Sequence, residues 1–127
     1  MASNRSKVAV VSTRPETVLE DVGDAMHLGE YQSHLSSDLE TLLKINISWQ
    51  YYYPACSTTP WQLEGVIKTL KHDGYEGLIA AHNGTVVVDS FEGEIRNKQR
   101  PVQEKYNLQN VHLDVPPSKW VDFRPKA

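Results

Sequence analysis

Residues 44–74 pass through an apolar stretch, a polar and aromatic segment, and a helix whose start and stop are both written in local chemistry. Nothing else in the chain limits the fold as strongly. Leu42, Leu43, Ile45 and Ile47 make a short apolar run, and Lys44 and Asn46 interrupt it two positions apart, which places both polar side chains on one face of a strand. Thr59-Pro60-Trp61-Gln62 fits a capping box, in which the Thr hydroxyl and the Gln side chain each satisfy a backbone N–H at a helix start. Pro60 stands at the first helical position, where its missing N–H costs nothing. Leu63, Val66, Ile67 and Leu70 then recur at helical spacing. Lys71 and His72 suit the negative end of the helix, and Gly74 supplies a left-handed stop.

The same alternation extends to both sides. Residues 8–11 are an apolar β-branched run, and Ser12-Thr13-Arg14-Pro15 turns the chain into a helix beginning near Glu16. Val18, Leu19, Val22, Ala25 and Met26 share one face of that helix, and Gly29 ends it. Residues 30–38 read as a loop. Leu78-Ile79-Ala80-Ala81 reads as a strand ending at His82-Asn83-Gly84, after which two courses are open. Asn-Gly turns residues 85–88 back as the second strand of a hairpin, or it is the loop leaving the carboxyl end of a parallel strand. Residues 95–108 look helical through Ile95, Val102 and Tyr106. Pro101 requires either a start near Arg100 or a kink, because an interior proline costs about 3 kcal/mol. Val111-His112-Leu113-Asp114-Val115 reads as a final strand, followed by a proline-containing tail. The pattern predicts one α/β domain over residues 1–127, a three-layer Rossmann-like sandwich with a mainly parallel sheet, at most one hairpin, and flexible segments at 1–7 and 116–127.

Charge and cysteine content narrow the function classes. A net charge of -3 with 13 scattered basic residues gives no footprint for nucleic acid. No apolar run reaches membrane-spanning length and the first residues lack the pattern of a signal peptide, so a cytoplasmic location is the default expectation, with no membrane partner. Cys56 is the single cysteine, which excludes an internal disulfide and any iron–sulfur ligand set within the chain. No cofactor is named by the sequence.

Ligands of open α/β sheets bind beyond the carboxyl ends of the strands, where helix N-termini offer free N–H groups. Residues 48–59 occupy such a place. Lys44 and Asn46 are expected to line the approach, with Ser57, Thr58 and Thr59 offering hydroxyls to a small anion; the plainer alternative is that these residues only cap and solvate. Cys56, just before the cap, is a candidate nucleophile with His82 as its base, against the commoner role of a lone cysteine as a small buried residue. Trp49, Tyr51, Tyr52, Tyr53 and Trp61 form an aromatic wall for a ligand, a surface that docks a protein partner, or ordinary packing. Asp89, Glu92 and Glu94 read as solvated acidic residues rather than a magnesium site. His27, His34, His72 and His112 lack any ligand spacing, so no metal-binding residue is assigned.

Lys44-Ile45-Asn46, the segment Pro54-Ala55-Cys56-Ser57-Thr58-Thr59-Pro60 and the helix up to Gly74 together resemble the N-terminal half of the domain-of-unknown-function 362 family. That family shows Lys-Pro-Asn on a strand and a Thr-Pro entry to a helix; Ile45 stands here in place of the proline. The opening Val8-Ala9-Val10-Val11 is similar to the family's start. The resemblance implies a link to iron–sulfur or redox proteins without a defined activity. It further implies that the family's C-terminal half, with its Lys-x-His and Lys-Asn motifs, is missing and would be the natural partner of this piece.

Overall fold

The structure is a computed structural model and describes residues 6–125. Three strands, β1 (Thr41–Lys44), β2 (Leu78–His82) and β3 (Gln109–His112), form one sheet in the order β1-β2-β3, with both pairings parallel. Register sets Lys44 opposite Ala81, and His82 opposite His112. The parallel α/β class read from the alternation is therefore the class observed.

Burial on β1 alternates as the residue pattern requires. Leu43 is half-buried and Ile45 and Ile47 beyond the strand are buried, whereas Leu42, Lys44 and Asn46 are exposed. β2 crosses the middle of the sheet and carries an almost fully buried sequence, Leu78 to His82. That is what a central parallel strand needs.

Helix α1 (Val18–Leu28) precedes the sheet, and helix α2 (Pro60–His72) links β1 to β2. α2 is the element best written in the sequence. Thr59 Oγ1 accepts from Gln62 N at 3.4 Å, Pro60 is the first helical residue, and Gly74 has φ +88°. Leu63, Ile67 and Leu70 of α2 join Ile45, Ile47, Tyr75, Leu78, Ala80, Val88 and Val102 in one core. α1 lies close against α2 because both helices present glycine at the crossing. A Cβ on Gly65 would stand 2.8 Å from Val22 Cβ, and one on Gly23 2.8 Å from Thr69 Oγ1.

Three expectations change. Residues 8–11 add no strand, and Val8 and Val10 are exposed on a stretch without regular structure. Apolar β-branched composition is a preference for pleated, half-buried surface, and here no neighbouring strand provides one. The hairpin course after Asn83-Gly84 is reduced to a tight turn. Thr85 and Val88 exchange backbone hydrogen bonds across a single isolated bridge, and the chain then enters helix α3 (Ser90–Arg96). The segment at 89–94 is consequently not a loop, because Asp89 caps α3 by accepting from Glu92 N at 3.1 Å. The helical pattern at 95–108 divides into α3 and helix α4 (Gln99–Lys105) at Lys98, whose φ is +60°. Pro101 falls in the first turn of α4, where no intrahelical N–H is required of it. Residues 118–125 have no regular secondary structure, while the expectation for residues 1–5 and 126–127 lies outside the described residues. No helix among the described residues is long and apolar enough to cross a membrane.

Candidate functional site

Two stretches of the sheet's carboxyl rim carry polar residues, and they differ in how those residues are used. Above β1, the polar groups at 44–59 bind their own chain. Thr58 Oγ1 accepts from Asn46 N at 3.0 Å while Thr58 N donates to Asn46 O at 2.9 Å, which staples the α2 entry to the end of β1. Ser57 Oγ accepts from Ser48 N at 3.2 Å, Thr59 Oγ1 caps α2, and Asn46 Nδ2 donates to Ser48 Oγ at 2.6 Å. Lys44 Nζ turns back to Ile45 O at 2.9 Å. The five residues expected to bind an anion thus reach one rim, but their hydrogen bonds hold the loop's shape.

Cys56 lies in a turn closed by its N–H on Tyr53 O at 3.2 Å, and it is half-buried. Among the described residues no base is hydrogen-bonded to its thiol. His82, at the end of β2, is completely buried and directs Nε2 to Glu94 Oε2 at 2.8 Å. The expected Cys56–His82 pair is replaced by a His82–Glu94 pair, because α3 rather than residues 48–59 closes over the end of β2. Trp49, Tyr51, Tyr52, Tyr53 and Trp61 are all substantially exposed, with Arg96 over the Tyr51 ring at 4.6 Å. Tyr52 and Tyr53 help line a small cleft of about 170 Å³ with Ser57, Thr58 and Thr59.

Above β2 and β3 the arrangement is different in kind. Parallel register places His112 beside His82, with ring centroids 4.2 Å apart in an edge-on contact. Glu94 reaches both from α3: its side chain is fully buried, and Oε1 lies 3.7 Å from His112 Nε2. Asn110 Nδ2 donates to Glu94 Oε2 at 2.6 Å, and Arg100 donates from Nε at 2.9 Å and from a terminal nitrogen to Oε1. His112 is held from its other side. Ser90 Oγ is 3.0 Å from its Nδ1, and Phe91 stacks on its ring at 3.6 Å between centroids. Among the described residues nothing pairs with the buried His82 Nδ1.

The electrostatics follow from these contacts. Burial pushes the Glu94 carboxyl up, but donation from His82, Arg100 and Asn110 outweighs it and holds the group at about 2. It is a carboxylate at neutral pH. Burial, with the neighbouring His82 next in weight, pushes His112 below the ordinary histidine value, which favours the neutral imidazole that a metal ion requires.

Set beside known proteins, the chain matches no family model, no curated protein and no solved structure. The site is therefore read from its own chemistry. His82, Glu94 and His112 each offer one ligand atom, and all three atoms lie within 4.8 Å of one another. Two imidazole nitrogens and one carboxylate oxygen make a donor set suited to zinc or to another late first-row divalent ion, and less suited to magnesium or calcium. Three protein ligands also leave a coordination position for water or another molecule.

Sequence reasoning missed Glu94 and His112 in this role because they are 18 residues apart in sequence and share no motif spacing with His82. One signal was present. His82 closes the apolar run read as one strand and His112 lies within the run 111–115 read as another, and neighbouring parallel strands can bring such residues together.

Proposed function

We propose that this protein binds a divalent transition-metal ion through His82, Glu94 and His112. The observation that carries the reading is their convergence at the carboxyl ends of β2 and β3, from three separate elements, around a buried carboxylate. Tetrahedral coordination at about 2.0–2.2 Å places ligand atoms about 3.3 Å apart, between the 2.8 Å and 3.7 Å separations that Glu94 makes with His82 and His112. Modest side-chain shifts bring Glu94 to coordinating distance from both histidines, and all three ligand atoms lie within 4.8 Å of one another. The surrounding groups supply the outer hydrogen bonds that orient metal ligands: Ser90 on His112, and Arg100 and Asn110 on Glu94. Loading the site displaces the proton that His82 shares with Glu94 and replaces it with the ion. Such an ion polarises a bound oxygen or lowers the pKa of bound water.

A second reading has an observation of its own. Glu94 already accepts from His82, Asn110 and the Arg100 guanidinium, so its charge is compensated without any ion. In that case the cluster is a polar lock that fixes α3 and α4 against the sheet.

Metal analysis separates the two. The purified protein, stripped with chelator and dialysed against zinc, should retain close to one ion per chain, and Glu94→Gln and His112→Ala should retain markedly less. Cobalt substitution should give the visible absorption of a nitrogen- and oxygen-ligated site. A folded wild-type protein that holds no stoichiometric ion sinks the metal reading and leaves the lock.

A further inference from the structure

Trp61 is a shared wall of two clefts. On one side, a cleft of about 450 Å³ is lined by Thr13, Arg14, Pro15, Val18 and Trp61. On the other, the cleft of about 170 Å³ at residues 52–61 is lined in part by Tyr52, Tyr53, Pro54, Pro60 and Trp61. Tyr52, Tyr53 and Trp61 are 52%, 68% and 45% exposed, so the loop whose hydroxyls hold its shape turns an aromatic side outward here. Trp49 and Tyr51, with ring centroids 6.1 Å apart, continue that surface past Asn97, which lines the smaller cleft and donates to Trp49 O at 2.9 Å. Exposed aromatic residues gathered in this way mark a contact surface.

Charge and hydrogen-bonding polarity specify what fits. Arg14 is the one charged residue lining either cleft. Asp21 Oδ2 accepts from Arg14 N at 3.2 Å and from Thr17 Oγ1 at 2.8 Å, and among the described residues the Arg14 guanidinium makes no ion pair. The oxygens of Ser57, Thr58 and Thr59 already accept from backbone N–H groups. The indole N–H of Trp61 is a donor only, and among the described residues it meets no acceptor. The groove thus offers flat apolar faces, a donor and one cation. We infer that it binds an extended, proline-rich peptide segment carrying an acidic residue. Proline lays its ring on aromatic faces, keeps its carbonyl as an acceptor and brings no N–H that would need an acceptor in return, and the polyproline II form is held before binding. The acidic side chain answers Arg14. An oligosaccharide is a poorer occupant, because its hydroxyls donate as well as accept and no carboxylate lines either cleft. The chain's own Pro116-Pro117 is poorer too, since Lys119 and Arg124 follow it. The inference does not depend on a metal at His82, Glu94 and His112.

The probe is a terminally blocked, dye-labelled peptide, Pro-Pro-Pro-Glu-Pro-Pro-Pro, titrated with the full chain at low salt and followed by fluorescence anisotropy. It should bind saturably, and the unlabelled peptide should move the indole N–H signal of Trp61 in the ¹⁵N-labelled protein, assigned by its loss in Trp61→Leu. Lysine in place of the glutamate should weaken binding roughly fivefold, the scale of an exposed ion pair turned into a repulsion. Alanine in place of every proline should weaken it roughly tenfold, since the extended form must then be ordered and new N–H groups go unmatched. Arg14→Gln should bring the glutamate and lysine peptides to equal affinity while leaving the melting temperature level, an outcome that a structural role for Arg14 does not produce. Trp61→Leu should weaken the glutamate peptide roughly tenfold or more. Should Trp61→Leu fail to fold, Tyr53→Ala takes its place. No saturable binding of the glutamate peptide, equal affinity for the lysine or alanine peptide, a Trp61 or Tyr53 variant that binds as the wild type, or a Trp61 signal that moves with cellohexaose and not with the peptide overturns the inference. A failure here leaves the metal reading intact, and a protein without metal leaves this test intact.

Discussion

The rim above β1 and the rim above β2 and β3 are both built where parallel strands end, and both are rich in side chains able to bind a ligand. They are not equivalent. At the first, the hydroxyls of Ser57, Thr58 and Thr59 accept from the backbone N–H groups of Ser48, Asn46 and Gln62 and are consumed in shaping the loop. At the second, His82, Glu94 and His112 come from three separate elements and meet one another, with His82 and Glu94 fully buried and His112 at the edge of a cleft. Local polar residues tend to satisfy local backbone. Distant ones gathered and buried together form a charged cluster whose orientation is fixed by the fold and whose lone pairs face inward, the condition a metal or a ligand exploits.

The contrast is broken most directly at Glu94. Replacing it with glutamine leaves His82 and Arg100 facing an amide that cannot compensate them. Loss of one partner from a buried charge pair costs roughly 3 kcal/mol or more, read as a lower urea midpoint. A loss below about 1 kcal/mol, the range of exposed ion pairs, would mean that the second rim is no more critical than the first.

Asp73 sharpens the comparison from outside both rims. At the end of α2 its carboxylate accepts from Tyr31, from His72 at 2.9 Å and from His27 at 2.6 Å, with Tyr31 the strongest of the three influences that hold it well below the usual carboxylate range. A depressed folded-state pKa stabilises the protein above the unfolded value, near 4, and that stability is lost as pH falls below it. Melting temperature should therefore drop on acidification below about pH 4, and Asp73→Asn should flatten that limb. An unchanged acid limb in the variant would show that the carboxylate cluster at α1 and α2 is not coupled to folding.

Within the first rim, Thr58→Val keeps the shape of the side chain but removes the acceptor for Asn46 N, with an expected cost of about 1–2 kcal/mol in the same urea assay. Metal retention should stay at the wild-type level in this variant, because Thr58 serves only the other rim. Should the metal be lost with it, the two rims are one unit. The smallest effect is expected at Cys56. Cys56→Ser should change stability by no more than about 0.5 kcal/mol and leave the His82 ring signals in an NMR spectrum where they were, since no hydrogen bond connects the two.

The pieces legible in the sequence were those whose causes lie within a turn or two of the chain. α2 could be placed because Thr59, Pro60 and Gly74 each act on their nearest neighbours, and β1 because Lys44 and Asn46 mark an outer face between Leu43, Ile45 and Ile47. Residues 8–11 misled for the complementary reason, since a β-branched run becomes a strand only when another strand accepts its hydrogen bonds. Asp89 and Glu94 looked alike as solvated acidic residues, yet Asp89 caps α3 at its exposed end and Glu94 enters the core from the same helix.

By itself the chain's order of residues determined the parallel α/β class, the bounds of its central helix and the exclusion of any cysteine-ligated cluster, all of which follow from local stereochemistry and composition. Only tertiary structure decided that His82 and His112 stand side by side and that Glu94 rather than Cys56 answers His82. Strand register and helix packing bring together groups separated by 12 to 30 residues, and neither is encoded in the spacing of any one segment.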